Sequence, residues 1–402
     1  METDIAIIGA GPAGLAAAAE LGRLGAGRVT VIEREPVPGG IPRHCGHSPF
    51  GMREFHRILG GQAYAARLTA AAEAAGASIL CNTTATALQD GPALELTGPE
   101  GVFRLQARAV LLATGTRESS RVQRLIGGQK PGGVIPTGAL QGLVHLNRQI
   151  PFRRPVILGT ELVSFSALLT CRQAGIRPVA MIEPGPRILA RRPSGLLPRL
   201  LGVPLHLKTE IAAIHGRERV SGVTLAGPQG KTHLDCDGVL LTGSFRSEAA
   251  LLAGEGVDPH STGPIIDSFG RCARPGYFAA GNLLRPVETA GACWSEGRRA
   301  AHAIHAALRG DLPDPSHGVP LTIRSDLIRY ALPQVIFTDG PGRHGQIQLR
   351  VTRPVHGILS LHQGPMVIAS HRINALPERR ITMPLPKNLL PDPLILTLEE
   401  TA

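Results

Sequence analysis

Residues 4–33 read DIAIIGAGPAGLAAAAELGRLGAGRVTVIE. Asp4 to Ile8 is a short apolar strand. It runs into Gly9-Ala10-Gly11-Pro12-Ala13-Gly14 and then into an alanine-rich helix, Leu15 to Leu24. A second strand, Arg28 to Ile32, ends at Glu33, 19 positions after Gly14. Strand, glycine turn, helix, strand and acid, in that order, form the dinucleotide fingerprint in its expected context. Gly9 permits the tight turn, Gly11 lets the backbone approach a pyrophosphate, and Gly14 lets the helix pack on the strand. The helix N-terminus offers unpaired N–H groups and a positive dipole end to phosphates. Glu33 can accept hydrogen bonds from an adenosine ribose. The ligand implied contains ADP.

Outward from this unit, Pro36 to His47 reads as a loop by its Pro and Gly content. Phe55 to Ala75 reads as a helix with Ala and Leu on a repeating face. Short strands follow at 77–80, 83–88, 93–97 and 103–107, and Ala109 to Ala113 is a buried-strand run ending in Thr114-Gly115. Residues 116–154 read as a connecting stretch. A second strand–turn–helix–strand unit then begins at Val156 to Leu158, turns at Gly159-Thr160-Glu161, continues through Leu162 to Ala174, and ends on Pro178 to Ile182 and Glu183. Gly238 to Thr242, ending in Gly243, repeats the pattern of residues 111–115. The expected fold is α/β, with two Rossmann-like lobes, the second inserted in the first. Thr289 to Arg309 is a long alanine-rich helix, residues 312–316 read as a linker, and alternation over 346–352, 358–361 and 366–370 predicts a small β-rich C-terminal domain. The expected boundaries are 1–118 with 246–312, then 119–245, then 318–402.

The chain has 402 residues, 43% of them hydrophobic, enough for two or three domains with substantial cores. No apolar run reaches 18 residues, which argues against a spanning helix. The sequence enters its first strand directly, so a cytoplasmic protein without a signal peptide is expected. The six cysteines include no CxxC and no CxxxxC pair, arguing against a redox disulfide and a cysteine-ligated cluster. Forty-two Lys and Arg against 31 Asp and Glu give +11. A G+C-rich genome favours Arg codons, so composition bias is one reading; an acidic partner protein is the functional one. Aromatics are only 3% and no stacking platform is visible, which argues against nucleic acid.

Three segments resemble the two-dinucleotide-binding-domain flavoproteins, the group containing the pyridine nucleotide-disulfide oxidoreductases. They are Gly9 to Gly14 with Glu33, Leu111 to Gly115, and Tyr277 to Asn282. The resemblance covers roughly residues 1–312. It implies FAD in the first lobe, with Gly9, Gly11, Pro12, Ala13, Gly14, Glu33, Arg34, Gly40, Ala113, Thr114, Gly115, Gly281, Asn282, Thr289 and Ala290 in the cofactor set. The family usually has Asp where this chain has Asn282; Asn still bonds a ribityl hydroxyl but removes a charge. The segments 39–51 and 281–291 resemble more closely the FAD subunits of dehydrogenase assemblies. These include the A-type subunits of amino-acid, opine and cyanide-forming dehydrogenases. Their usual partners are a second flavoprotein subunit, of glycerol-3-phosphate dehydrogenase or amino-acid oxidase type, and a small protein that often carries an iron–sulfur cluster. The C-terminal region lies outside the general match.

In the second lobe only Gly159 of the glycine pattern survives. Glu161 stands at the close-approach position, where its bulk and charge face a diphosphate at a cost of several kcal/mol at contact distance. The lobe therefore reads as impaired for NAD(H), although Glu183 can still hold a ribose; NADP is disfavoured because no arginine pair reads a 2′-phosphate. Arg43, His44 and Cys45 are the candidate reactive residues. Cys45 stands near the place where disulfide reductases carry their redox pair. His44 and His47 beside it can lower its pKa; a loop cysteine without chemistry is the competing reading. The two histidines lack an evident third metal ligand, so no metal is expected. Arg43 can stabilise an anionic flavin or a substrate carboxylate. The helix after Gly291 is expected near the isoalloxazine, with Cys293 and Trp294 as packing residues. An electron-transferring FAD subunit, a self-sufficient NADH-dependent flavin reductase and a non-catalytic subunit with structural FAD are the three functional readings.

Overall fold

The computed structural model describes residues 1–191, 193–340, 342–385, 389–390 and 392–401. They form two compact units. Unit 1 comprises Met1–Gly40, Ala65–Thr116 and Ser247–Ala402; unit 2 comprises Ile41–Tyr64 and Arg117–Arg246.

Unit 1 is built on a five-stranded parallel sheet in the order Tyr277–Ala279, Ala109–Leu112, Ile5–Ile8, Val29–Ile32, Ser78–Leu80. Register pairs Ile5 with Val29 and with Ala109. The four central strand residues Ile5, Ile7, Val110 and Leu111 are fully buried, as continuous apolar runs must be when both faces of a parallel sheet are covered. Truncating any of the larger ones to Ala costs about 3 kcal/mol. Two helices, Pro12–Arg23 and Ala290–Arg309, pack closely together. Their contact depends on small residues: a Cβ on Gly297 would strike the carbonyl of Ala13. A three-stranded antiparallel sheet spans Thr84–Gln89, Ala93–Gly98 and Gly101–Gln106.

The C-terminal part of unit 1 carries a five-stranded sheet and a three-stranded sheet over their own apolar core, including Ile336, Ile347, Leu361 and Leu396. Tyr330 and Leu332 of this region instead join the core of the parallel-sheet lobe.

Unit 2 repeats the construction. Its parallel sheet runs Val134–Pro136, Gly238–Leu241, Pro155–Leu158, Ala180–Glu183, Leu205–Leu207. Its antiparallel sheet contains Glu210–His215, Gly222–Gly227 and Gly230–Asp235, beside Gly127–Gly128. The edge strand of the parallel sheet comes late in the chain in unit 1 and early in unit 2. The two Rossmann-like lobes expected from the sequence are therefore present, the second interrupting the first.

Three local readings change. The helix expected from Phe55 starts only at Gly61, because residues 51–59 are folded back on themselves, with Phe50 and Leu59 exchanging backbone hydrogen bonds. The loop at 36–47 contains one helical turn, Ile41–His44, with Pro42 in its first turn, where a missing N–H costs nothing. The connecting stretch 116–154 contains the helix Thr137–Gln141 continued by a π-helical turn, Gly142–Leu146.

Candidate functional site

The first glycine turn lies at the C-terminal end of the parallel sheet of unit 1. Gly9 has φ +105° and lies so close to the next strand that a Cβ would sit 2.5 Å from the Ala113 carbonyl oxygen. A Cβ on Gly14 would strike the Gly9 carbonyl. Gly11 is different: nothing lies within 4 Å of where its Cβ would be. Gly11 caps the helix without a side-chain cap, Pro12 opens it, and no acid occupies its first turn. The amides at this end thus face open space with the dipole unopposed, the arrangement an anion needs.

Four further segments of unit 1 converge on this turn. The Gly39 N–H donates to the Ala10 carbonyl at 2.8 Å, and a Cβ on Gly40 (φ +58°) would lie 2.8 Å from Gly11 Cα. Ala113 N–H bonds Ile8, Thr114 Oγ1 donates to Glu248 O at 2.7 Å, and Gly115 O accepts from Glu248 N. A Cβ on Gly281 would sit 2.8 Å from Ala13 Cβ. Thr289 caps the long helix, its hydroxyl accepting from Ala292 N–H, and Ala290 is the first helical residue. Glu33, buried, spends its carboxylate on the backbone: Oε2 accepts from Ala10 N–H at 3.0 Å and Oε1 from Glu35 N–H at 2.9 Å. Arg34 is exposed. Asn282 closes its own loop, accepting from Glu288 N–H at 2.6 Å and donating to Glu288 O at 3.3 Å.

Two residues outside the sequence-derived set hold this arrangement. Glu296 accepts from Gly281 N–H at 2.9 Å and from both terminal nitrogens of Arg285, at 3.0 and 3.1 Å. Burial pushes Glu296 up, but Arg285, His344 and Arg299 outweigh it and its carboxyl is held below the usual range. His344 lies 3.9 Å from the same carboxylate, and burial lowers it to about 4, so its ring is neutral at pH 7. The signal in the sequence was an acid on the apolar stripe of an alanine-rich helix, between Cys293 and Ala300.

The corresponding place in unit 2 is filled. Glu161 caps the helix Leu162–Gln173, and its carboxylate accepts from Ser244 N–H at 2.7 Å. It lies directly against Gly243, where a Cβ would collide with it. Glu118 takes the N–H groups of Gly243 and Gly138, both at 3.0 Å, and Arg124 donates to the carbonyls of Thr242 and Gly243 at 2.9 and 2.7 Å. Three amides beside this helix end, those of Ser244, Gly243 and Gly138, are already bonded to the protein's own carboxylates. Glu183 keeps the framework role of Glu33, accepting from Thr160 Oγ1 at 2.5 Å and from Gly185 N–H at 2.8 Å.

The candidate reactive residues Arg43, His44 and Cys45 belong to unit 2, at the end of the short helix. Cys45 is buried, its Sγ 3.5 Å from Ile41 O and 3.6 Å from Gln141 Oε1. Burial pushes the thiol up to about 12, against the expectation that neighbouring histidines lower it. His47 is itself pushed down by burial and so carries no charge to stabilise a thiolate at pH 7. All six cysteines are free. Among the described residues, no helix is long and apolar enough to cross a membrane.

Residues 3–307 match the family model described as pyridine nucleotide-disulphide oxidoreductase. An opine oxidase subunit of Rhizobium meliloti (strain 1021) is 33% identical over 181 residues, 45% of this chain and 38% of that one. The alpha chain of sarcosine oxidase from the same organism is 26% identical over 358 residues, 82% of this chain and 33% of that one. The chain thus spans between a third and two fifths of these relatives' lengths. Among solved structures, T. acidophilum thioredoxin reductase superposes with a TM-score of 0.64 at 20% identity, covering 76% of this chain and 98% of that one, and shows the shared fold. With two nested lobes, an open glycine turn in the first and a family match across more than half its length, this chain belongs to the pyridine nucleotide-disulphide oxidoreductase family.

Proposed function

We propose that unit 1 binds FAD and that the chain is an electron-transferring subunit of a multi-subunit dehydrogenase. The open approach at Gly11, set against the carboxylate-filled turn of unit 2, carries this reading. Bound FAD supplies two-electron acceptance and release. Gly9, Gly11, Gly14 and the first-turn amides would seat the pyrophosphate, and Gly40 leaves the room. Glu33 stands at the ribose end. Gly281, Asn282, Thr289 and Ala290 would line the remainder, where the N-terminus of the helix Ala290–Arg309 favours negative charge. NADH finds no equivalent seat in unit 2. Electrons then come from a partner flavoprotein subunit, directly or through a small iron–sulfur protein, in the cytoplasm. The two oxidase components among its relatives agree with a subunit role.

A self-sufficient NADH-dependent reductase is the second reading, favoured by the retained Glu183. Stopped-flow reduction of the purified, flavin-loaded protein separates the two. The subunit reading expects NADH alone to leave the flavin oxidised over seconds at millimolar NADH. Full bleaching within one turnover time assigns the reductase activity instead. A flavin that dithionite cannot reduce assigns a structural role.

A further inference from the structure

The excess positive charge is not spread over the chain. Unit 2 carries 21 Lys and Arg against 8 Asp and Glu, a net +13; the larger unit 1 carries 21 against 23, a net −2. Unit 2, the smaller of the two, is both richer in Lys and Arg and poorer in Asp and Glu for its length, and a codon bias acting along the whole gene does not confine its effect to one unit. The positive charge is concentrated in unit 2, and part of it is gathered in one place.

Six exposed arginines, Arg148, Arg153, Arg154, Arg177, Arg217 and Arg219, gather at one edge of unit 2. The backbone fixes their neighbourhood. Arg153 and Arg154 donate their N–H groups to the Asp237 carboxylate just before the strand Gly238–Leu241. Arg177 N–H bonds Arg153 O, and Arg219 lies beside Gly132, just before Val134–Pro136. These four therefore sit where the parallel strands begin, and Arg148 and Arg217 lie close to them in the chain. The turn at Gly159 and the carboxylate of Glu161 lie where those strands end. The arginines are not the remnant of a nucleotide-phosphate site. Among the described residues none of the six guanidinium groups is in an ion pair; Arg219 bonds the carbonyl of Pro151.

The same edge contains an open cavity of about 430 Å³, lined by Gly133, Ile135, Leu143, Ile150 and Pro151 together with Gln149 and Arg219. Ile150 is 43% exposed. A mainly apolar cavity with Arg219 in its lining and further exposed arginines on the same edge has the composition of a protein-docking surface: arginine is enriched at interfaces, and the apolar lining takes an anchoring side chain. No aromatic side chain lines the cavity, so it offers bases no stacking surface.

We propose that this edge of unit 2 docks a carboxylate-rich surface of a partner protein, with one apolar side chain entering the cavity at Ile150. The inference deepens the subunit reading above and rests on it for the existence of a partner. A lobe that has filled its dinucleotide seat keeps its fold and serves as the basic docking module of the assembly.

The test uses the full-length, FAD-loaded chain and a fluorescein-labelled peptide of glutamates with leucine at every third position. Anisotropy is expected to show binding that weakens as salt rises. Arg153→Glu with Arg154→Glu should weaken it about tenfold, and Ile150→Asp by a similar factor. Arg199→Glu with Lys231→Glu, equal in charge but elsewhere on the unit, should change it less than twofold. Retained flavin absorbance and an unchanged melting temperature show that each variant is folded. Equal losses in both charge pairs, or none in either, overturn the proposal. Tighter binding of a duplex oligonucleotide of matched charge assigns the edge to nucleic acid, and a dimer abolished by Arg153→Glu/Arg154→Glu assigns it to a second copy; either overturns it. The subunit reading fails separately, by rapid NADH reduction of the flavin, whatever the peptide does.

Discussion

The two parallel-sheet lobes are the same construction with opposite treatment of one spot. Each has a strand, a turn opening on glycine, a helix, and a buried glutamate at the end of the next strand that ties the turn down: Glu33 through Ala10 and Glu35, Glu183 through Thr160 and Gly185. Each also holds a distant glycine amide on a carboxylate partnered by arginine. Glu296 with Arg285 holds Gly281, and Glu118 beside Arg124 holds Gly243. Two positions of the turn differ: Gly11 in one lobe stands against Glu161 in the other at the anion seat, and Gly14 against Ser164 where the helix meets the strand. The framework that makes a dinucleotide fold is thus separable from the seat that makes a dinucleotide site.

The strongest way to test that statement is to copy the second lobe onto the first. Gly11→Glu puts a charge at the pyrophosphate position with open space around its Cβ, since nothing lies within 4 Å of that atom's place. At contact distance the repulsion is about 4 kcal/mol, so FAD affinity should fall about a thousandfold. The flavin content of the purified variant measures this, and a melting temperature of the apoprotein close to the parent shows the loss is local. A yellow, stoichiometric Gly11→Glu variant breaks the comparison.

The carboxylate pairs should respond differently to acid. His344 faces Glu296, Arg285 and Arg299, and burial holds it at about 4, against an unfolded value near 6.5. The unfolded chain binds the proton first. Stability is therefore complete above about pH 6.5 and is lost as pH falls toward 4, by up to about 3 kcal/mol. Denaturant midpoints across this window should fall, and His344→Gln should flatten the decline. An unchanged slope in that variant removes His344 from the account.

The reverse substitution is expected to do less. Glu161→Gly releases the Ser244 amide but leaves Gly243 bound to Glu118. Removal of the charge lifts the same repulsion of about 4 kcal/mol, but Glu118 still holds the Gly243 amide and Ser164 still stands at the place of Gly14, so about 1–2 kcal/mol is regained and NADH should reduce the flavin about tenfold faster than in the parent, and still slowly. No gain at all would place the barrier in Glu118 and Arg124 rather than in Glu161.

Much of this was legible in residues 4–33, 109–115 and 156–183, because short-range patterning and glycine spacing are written locally. Glu161 was legible too, since it breaks a pattern at a numbered position. The alternation in 346–370 foretold strands. What could not be read were contacts between residues far apart in the chain: Glu118 reaches Gly243 across 125 positions. Asn282 was legible as a polar residue at a cofactor position, but not the loop closure with Glu288 on which it spends its amide. Nor did the whole-chain charge reveal its confinement to unit 2, which needs the boundaries at 41, 64, 117 and 246.

Cys45 gives the smallest expected effect and the sharpest contrast between position and environment. Sequence places it where related reductases carry redox sulfur. The fold buries it directly after the helical turn Ile41–His44 and raises the thiol to about 12. At pH 8 only about one molecule in ten thousand then carries a thiolate there, and the thiolate is the nucleophile. Arg43, in the same helical turn, does not offset the loss of water around the sulfur. Cys45→Ser should leave the flavin spectrum and its reduction rate within about twofold of the parent. Mass spectrometry after brief iodoacetamide treatment of the native protein should find Cys45 unmodified. Fast alkylation at Cys45, with a matching loss of flavin reduction, would return it to the reactive set and show that the segment 41–64 opens in solution.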